Sequence, residues 1–505
     1  MSLLTEKYAS KIRGVLSCFD RVLITGTIPE ICHPGAITSL LYAKQIRIFD
    51  YTQFAEPLRD EIRENAERLA KENGLEIEFI RKKDFRKEAG IKEILAKRGN
   101  HPGLVHIFSA LEACPSFKPW HDKKTGKTFL RSAEAKCVHY YFYFVLEDLG
   151  LCYLRVPTWV PFRVQFYFNG HNELAAGLNR RGMKYRQVEN GFLEIEDFAE
   201  AQKLADTWSV PKLQRHLDRV AKKFCPVIRY FPSGYHWSLT QVEFSTDVVF
   251  KSQADLQPLY ETMVRTAIHA VKPEQVATFL GKKVAPQYQG EIGNDFHTRI
   301  EGTRIKHHMG PVAIKMYDKL GMILRIETTV YDVSFFKHHR RVEHRGGTWE
   351  MKVAPLKKSI YSLPVLGELM AAANHRYLEF LSTLEDPTVG VKSLEKISRP
   401  AQDGERSYRG FHFFDSEDQK LFEAIVGGEF TIHGLKNRLL RALLIDKTGP
   451  QISRMLKRLR MHGLIKKVGR TYRYYLTRLG QKVVTTALKL KTLVVIPSLS
   501  ESAAM

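Results

Sequence analysis

From Arg299 to Tyr331 apolar and polar residues alternate in successive runs, and the turn signals Met309-Gly310-Pro311 and Lys319-Leu320-Gly321 separate those runs. A period of two places successive side chains on opposite faces of a strand, so this stretch is predicted to fold as an antiparallel β-meander and not as a helix. The alternation also sorts side chains by face. Ile305, Val312, Ile314, Met316, Leu324 and Ile326 form a core-facing set, while Arg304, Lys306, His308, Lys315, Tyr317, Arg325, Glu327 and Thr329 share the other face. The long strand candidate upstream, Trp237 to Phe250, adds Gln241, Glu243, Ser245 and Asp247 on a single face.

The chain around this meander is mixed. Strand-like Arg21–Ile28, helical Gln53–Asn73, strand-like Leu75–Ile80, helical Asp84–Lys97 and strand-like Gly103–Leu111 alternate in α/β fashion. Aromatic-rich runs follow at Val138–Leu146 and Tyr153–Asn169, where Phe162, Val164, Phe166 and Phe168 alternate as core residues do. A helical stretch spans Phe198 to Lys223, and an apolar helix is expected from Leu363 to Leu384. The fold class is therefore α+β, with a mixed α/β N-terminal part and an antiparallel meander in the body. With 505 residues, more than one domain is expected. The predicted division is an α/β domain at 1–155, a sheet-rich domain at 156–384, a Pro-, Gly- and Ser-rich linker at 385–412, a C-terminal module at 413–492 and a tail at 493–505.

Charge narrows the partners. Lys and Arg outnumber Asp and Glu by 78 to 55, a net +23. Such a surplus favours a polyanion, because each neutralised phosphate releases counterions. No apolar stretch approaches the length of a membrane span, and the N-terminus MSLLTEKYASKIRG has no signal-peptide core, so the expectation is a cytoplasmic, nucleoid-associated protein that does not engage membranes. A Gly-rich phosphate loop and a Gly-x-Ser-x-Gly elbow are both missing from the sequence, so no nucleotide cofactor is expected. Cys114, His121, Cys137 and His139 are zinc-ligand types at a spacing that matches no common site.

The C-terminal module carries the densest charge: 15 Lys or Arg lie between Phe430 and Leu490, against Asp446 alone. Ile452, Met455, Leu456 and Leu459 recur at helical spacing, with Ser453, Arg454, Lys457, Arg458 and Arg460 at the remaining positions. Thr448 can cap this helix, Pro450 suits its first turn, and His462-Gly463 should end it. Leu464–Val468, with Lys466 and Lys467, and Thr471–Thr477, with Arg473, flank a Gly469-Arg470 turn and predict a basic hairpin. Two more helices are expected upstream, at Asp415–Ile425 and Ile432–Leu444. The runs I-S-R-M-L-K-R-L-R-M-H-G-L-I-K-K-V and Y-R-Y-Y-L-T-R-L-G resemble the winged helix-turn-helix of MarR-like regulators. That resemblance implies a duplex DNA partner, with Ser453, Arg454, Lys457 and Arg458 facing the groove and Arg470 and Arg473 of the wing reaching the backbone.

In the body, Glu243, Asp247 and Glu327 are oxygen ligands suited to Mg²⁺ or Mn²⁺, and a metal beside Tyr317 would lower its pKa for attack on a phosphodiester. Lys315 and Arg325 flank Tyr317 as charge-stabilising groups. The runs K-M-Y-D-K (Lys315–Lys319) and L-R-I-E (Leu324–Glu327) resemble a stretch of rolling-circle replication initiators, which implies strand nicking or transfer by a mobile-element or replication protein. Two alternatives stay open for this face: a solvated surface with cross-strand ion pairs, and a non-catalytic platform for single-stranded DNA or RNA. For the whole chain the alternative is a winged-helix regulator, a homodimer in one form, whose large body senses a ligand. The basic run Lys337–Arg345, with His338, His339 and His344, is read as phosphate-facing or solvated.

Overall fold

The computed structural model describes residues 3–496 and 499, apart from 83–84, 284–290, 300–301, 345, 386, 428–429, 431–433 and 470. The fold is α+β, and the chain divides into two compact units, residues 1–385 and 386–505.

The first unit is organised by one sheet. Its strands are β1 (Ile12–Thr27), β2 (Ile77–Phe79), β3 (Gly103–Asp122), β4 (Lys127–Leu146), β5 (Gly150–Pro157) and β6 (Val164–Phe168), then β9 (His236–Phe250), β10 (Ile292–Arg299), β11 (Gly302–Met309), β12 (Val312–Lys319) and β13 (Ile323–Val330). Between them β7 (Tyr185–Val188) and β8 (Gly191–Ile195) form a separate hairpin. The order across the sheet is β10-β11-β12-β13-β9-β1-β6-β5-β4-β3-β2, and the short β2 lies parallel to β3 while the other neighbours described are antiparallel. The meander expected from alternation is thus present as β11 to β13. The domain boundary expected near residue 155 is not. β1 pairs with β6 on one side and β9 on the other, which joins both expected domains into one sheet. Alternation within a strand fixes its faces but carries no information about a partner more than 200 residues away.

The sheet is covered unequally. One face buries Val22, Ile24, Val242, Phe244, Ile314 and Ile326 against helices that include Gln253–Ala270 and Leu363–Glu385. Phe162, Val164, Phe166 and Phe168 are fully buried, as their alternation required. On the opposite face the helices Gly170–Arg180 and Phe198–Ala205 and the β7–β8 hairpin cover only part of the surface, through Leu174, Leu178, Ala201 and Phe192 against Leu16 and Cys18. Gly170 allows this close approach: a Cβ there would stand 2.3 Å from the Phe19 carbonyl oxygen. The uncovered remainder of this face is a polar cleft.

The second unit contains the helices Pro387–Ser398, Ser416–Ile425, Asn437–Leu443, Gly449–Met461 and Arg478–Leu490. Strand Ile465–Lys467 pairs antiparallel with Tyr474–Leu476. The stretch expected to be a linker holds the first of these helices and a hairpin, Ala401–Asp403 with Arg406–Tyr408. Its Pro and Gly residues mark element ends, which composition alone does not distinguish from a linker. Thr448 caps helix Gly449–Met461, where its backbone N–H donates to Gln451 Oε1 at 2.7 Å, and His462 ends the helix. Ile452, Leu456 and Leu459 face a core that also holds Leu421, Phe422, Leu440 and Val484. Among the described residues no helix is long and apolar enough to cross a membrane.

Candidate functional site

Three carboxylates meet on the polar face of the sheet. Asp20 of β1, Glu243 of β9 and Glu327 of β13 each present an oxygen, and these lie within 4.8 Å of one another. Among the described residues no other group of three His, Cys, Asp or Glu side chains is gathered in this way. Of the residues of zinc-ligand type, Cys137 Sγ lies 3.8 Å from His139 Nδ1 and Cys114 adjoins Cys137, but these do not converge on a common point with His121. His121 instead lies on the exposed surface, 3.0 Å from the Thr128 hydroxyl.

Asp20 was not legible as a site residue from face periodicity because it sits at an irregularity. Phe19 is opposite Phe244 and Arg21 is opposite Glu243, so the β1–β9 register shifts at Asp20. A bulge re-aims the extra side chain, and here Asp20 and Arg21 both line the cleft. The available signal was an aspartate within the apolar run Val15–Ile24. Glu243, by contrast, takes the face its strand period assigned, and Glu327 stands opposite Lys315.

Behind the carboxylates lies a buried polar network. Arg325, with no exposed side-chain surface, donates from Nε to Asp247 Oδ1 at 2.6 Å and from Nη2 to Asp247 Oδ2 at 2.7 Å. Its Nη1 is 3.5 Å from Asp20 Oδ2, and Nη2 is 3.1 Å from His171 Nε2. His171 lies between two carboxylates, with Nδ1 3.3 Å from Asp20 Oδ1 and Nε2 3.7 Å from Asp247 Oδ2. Although burial pushes its pKa down, its bonds to these carboxylates help hold it well above the ordinary imidazole value. Asn190 and Asn169 also donate to Asp20 Oδ1, at 2.5 and 3.2 Å. Burial pushes the Asp20 carboxyl up, yet Arg325, His171 and Asn190 outweigh burial and hold it well below the usual carboxylate range. Asp20 is therefore a fixed anion at the base of the cleft.

Two expected roles are corrected here. Asp247 is excluded from the metal-ligand set by its two-point bond to Arg325, and Asp20 takes its place. Arg325 lies beneath the site and contacts Asp247 and Asp20, so it positions acidic groups and does not reach a substrate. Both residues stand on the predicted face, but their cross-strand register pairs them with each other.

At the front, Lys315 Nζ donates to Glu327 Oε1 at 2.6 Å and is 3.8 Å from Glu243 Oε1. Tyr317 donates its hydroxyl to Glu327 Oε2 at 2.7 Å. Burial, followed by the Glu327 charge, raises the Tyr317 phenol well above its ordinary pKa, so it is held protonated. Burial and the charge of Glu327 likewise raise Glu243, with Lys315 and Arg21 opposing. The cleft encloses about 380 Å³, and Arg21, Arg304, Lys315 and Lys319 surround the carboxylates in its lining. Arg304 Nε and Asp318 Oδ1 are buried there with no hydrogen-bond partner among the described residues. An oxygen-only donor set fits Mg²⁺ or Mn²⁺. Such an ion would compete with Lys315, which already serves as a counter-charge to Glu327 and Glu243.

In the second unit the expected DNA-facing residues divide. Ser453, Arg454, Arg460, Lys466 and Arg473 are exposed, and Lys467 is half-buried. Ser453 accepts a 2.8 Å bond from Asn437 Nδ2, and Lys457 is paired with Asp403. Arg458 departs from expectation: it is buried, its Nη1 and Nη2 bond Asp418 at 2.6 and 2.9 Å, and its guanidinium lies 3.8 Å from the Phe411 ring centre. It also donates to the carbonyls of Arg409 and Gly410. A long apolar stem with a rigid fork lets arginine cross from the flank of a helix into its packed side, which helical spacing alone does not register. Arg470 lies outside the described residues.

Comparison with known proteins supplies no relative: no family model matches the chain, and neither curated proteins nor solved structures include a significant match.

Proposed function

We propose that this protein binds nucleic acid and cuts or transfers a phosphodiester strand with a divalent cation held by Asp20, Glu243 and Glu327. The observation that carries the proposal is the convergence of these carboxylates in a cleft lined by Arg21, Arg304, Lys315 and Lys319. Carboxylates alone would repel a phosphodiester, and cations alone would only hold one; their combination suits metal-assisted attack with phosphate retention. A bound Mg²⁺ or Mn²⁺ would lower the pKa of a coordinated water and offset charge developing on phosphate oxygens. Tyr317 orients Glu327 through its 2.7 Å bond, and its raised pKa makes it a poor nucleophile, so water is the attacking group in this reading. Asn190, His171 and Arg325 keep Asp20 ionised and fixed.

Duplex DNA is the proposed partner of the second unit, where a winged helix-turn-helix reading rests on the helix Gly449–Met461, the following hairpin and their exposed cations Arg454, Arg460, Lys466 and Arg473. The reading excludes Arg458, whose charge is occupied by Asp418.

The test is incubation of labelled single-stranded and duplex DNA with the protein, with Mn²⁺, Mg²⁺ or chelator, resolved on a denaturing gel. Metal-dependent cleavage lost in Asp20→Asn and Glu327→Gln is expected, while Tyr317→Phe retains part of it. A protein-linked strand lost in Tyr317→Phe would instead make the tyrosine the nucleophile. Intact DNA under every condition, with duplex binding retained, would favour a non-catalytic regulator in which Lys315 permanently neutralises the carboxylates.

A further inference from the structure

Lys337–Glu343 and Trp349–Pro355 form a two-stranded antiparallel ribbon that pairs with no other strand among the described residues. Its base is anchored, since Phe336, Ala354 and Leu356 are buried and Leu356 N–H donates to the Phe336 carbonyl at 2.9 Å. Beyond that base the ribbon stands free on one side. Residues of period two share a face, and the register places His339 opposite Val353, Arg341 opposite Met351 and Glu343 opposite Trp349. Lys337, His339 and Arg341 are all exposed on this face. Trp349, Met351 and Val353 beside them are 55, 53 and 64 % exposed, an apolar row with no covering element among the described residues. The Arg341 guanidinium lies 4.0 Å from the Trp349 ring centre, which holds the indole flat against the cationic row. Glu343, opposite Trp349, is the acidic residue on this face, set against the cations Lys337 and Arg341; Glu350 lies on the other face, engaged by Lys352 and by His344 at 3.2 Å.

We infer that this ribbon is a second nucleic-acid contact, lying along a groove of duplex DNA with Lys337 and Arg341 on the phosphates and Trp349 and Met351 against sugar and base edges. The inference rests on the nucleic-acid reading above. Three features commit the occupant. Charge complementarity favours a polyanion over an ordinary protein surface. A two-stranded ribbon has the width that a DNA groove admits. An apolar row beside cations matches a groove, which offers apolar sugar and base edges between phosphate rails. Strands of this length, at ~3.3 Å per residue, would follow the groove for about two-thirds of a helical turn.

The experiment compares wild type, Lys337→Ala/Arg341→Ala, Trp349→Phe and Arg454→Ala/Arg460→Ala in the full chain. Duplex affinity is titrated across salt concentrations, and tryptophan fluorescence is followed in parallel. Loss of two phosphate contacts should weaken duplex binding on the order of tenfold at moderate salt and flatten the log–log salt slope by about 2. Duplex should quench tryptophan emission in wild type, and Trp349→Phe should abolish that quench. Unchanged affinity, slope and quench in the ribbon variants would overturn the inference, even if the Arg454→Ala/Arg460→Ala variant still loses binding and the cleft still cuts DNA. Vesicles of phosphatidylserine and phosphatidylcholine are the second probe, and ribbon-dependent vesicle binding without duplex binding would assign the ribbon to an anionic membrane surface instead. Failure of the cleft reading has a different signature, with no metal-dependent cleavage but a ribbon-dependent loss of duplex affinity. Wild type that binds no duplex at any salt would end both.

Discussion

Each unit of this protein buries an arginine against an aspartate, and the two pairs differ in what surrounds them. Arg458 and Asp418 form a closed pair: the guanidinium also donates to the Arg409 and Gly410 carbonyls and lies against Phe411, so its charge and its donors are consumed locally. Arg325 and Asp247 form an open one. The same guanidinium reaches Asp20 and His171, and Asp20 continues into Glu243 and Glu327 at the floor of a cleft. A buried ion pair is thus not a site in itself, and removing one partner exposes the other to an uncompensated desolvation cost in either setting. The mark of a site is an excess of one charge carried from the network to an opening.

The largest effect is expected at the open pair. Arg325→Met leaves two buried carboxylates, Asp20 and Asp247, without their main counter-charge and should destabilise the first unit by about 5 kcal/mol, the upper end for a broken buried pair. Chemical denaturation followed by near-ultraviolet dichroism measures this, and a loss below that of Arg458→Met would break the comparison. Arg458→Met should cost the second unit about 3 kcal/mol, since only Asp418 loses its main counter-charge and it keeps Arg409 at 3.6 Å and the His412 N–H at 2.9 Å. Limited proteolysis should show that unit opening while fragments from residues 1–385 persist; equal opening of both would refute the closed character of the pair.

Glu243 sharpens the contrast through pH. Its folded pKa is raised above the unfolded value near ~4.3, so its contribution is fully present below that pH and is lost as pH rises through the folded value. Glu243→Gln should therefore stabilise the protein at pH 8 relative to wild type and not at pH 4. Added Mn²⁺ should narrow the gap by stabilising wild type. Thermal melts at both pH values, with and without Mn²⁺, would show parallel curves if Glu243 faced no repulsion. The smallest effect belongs to the exposed cations: Arg454→Ala/Arg460→Ala should change stability by no more than about 0.5 kcal/mol, in line with surface substitutions, so a loss near that of Arg458→Met in urea titration would show that they too are structural.

Much of the architecture was legible in local pattern. Period-two alternation located β11 to β13 and the buried row Phe162, Val164, Phe166 and Phe168, while Thr448, Pro450 and His462 marked the ends of helix Gly449–Met461. Glu243, Lys315, Tyr317 and Glu327 were assigned to one face, and they meet there. These readings succeed because strand faces and helix ends depend on neighbours within a few residues. Asp20, His171 and Asn190 gave no comparable signal, because a bulge and the approach of Gly170 to Phe19 bring them in from distant segments, whereas Lys319 continues the period-two row of Lys315 and Tyr317 on β12.

The amino-acid sequence by itself determined the strand faces, the helix limits and the basic balance of the chain, all properties of side-chain order and charge. Tertiary structure decided which ions pair. It joined β1 to β9 across more than 200 residues, set Arg325 opposite Asp247 and turned Arg458 inward onto Asp418. Coulombic and desolvation energies depend on distance and burial in three dimensions, and neither quantity is encoded in the spacing of residues along a chain.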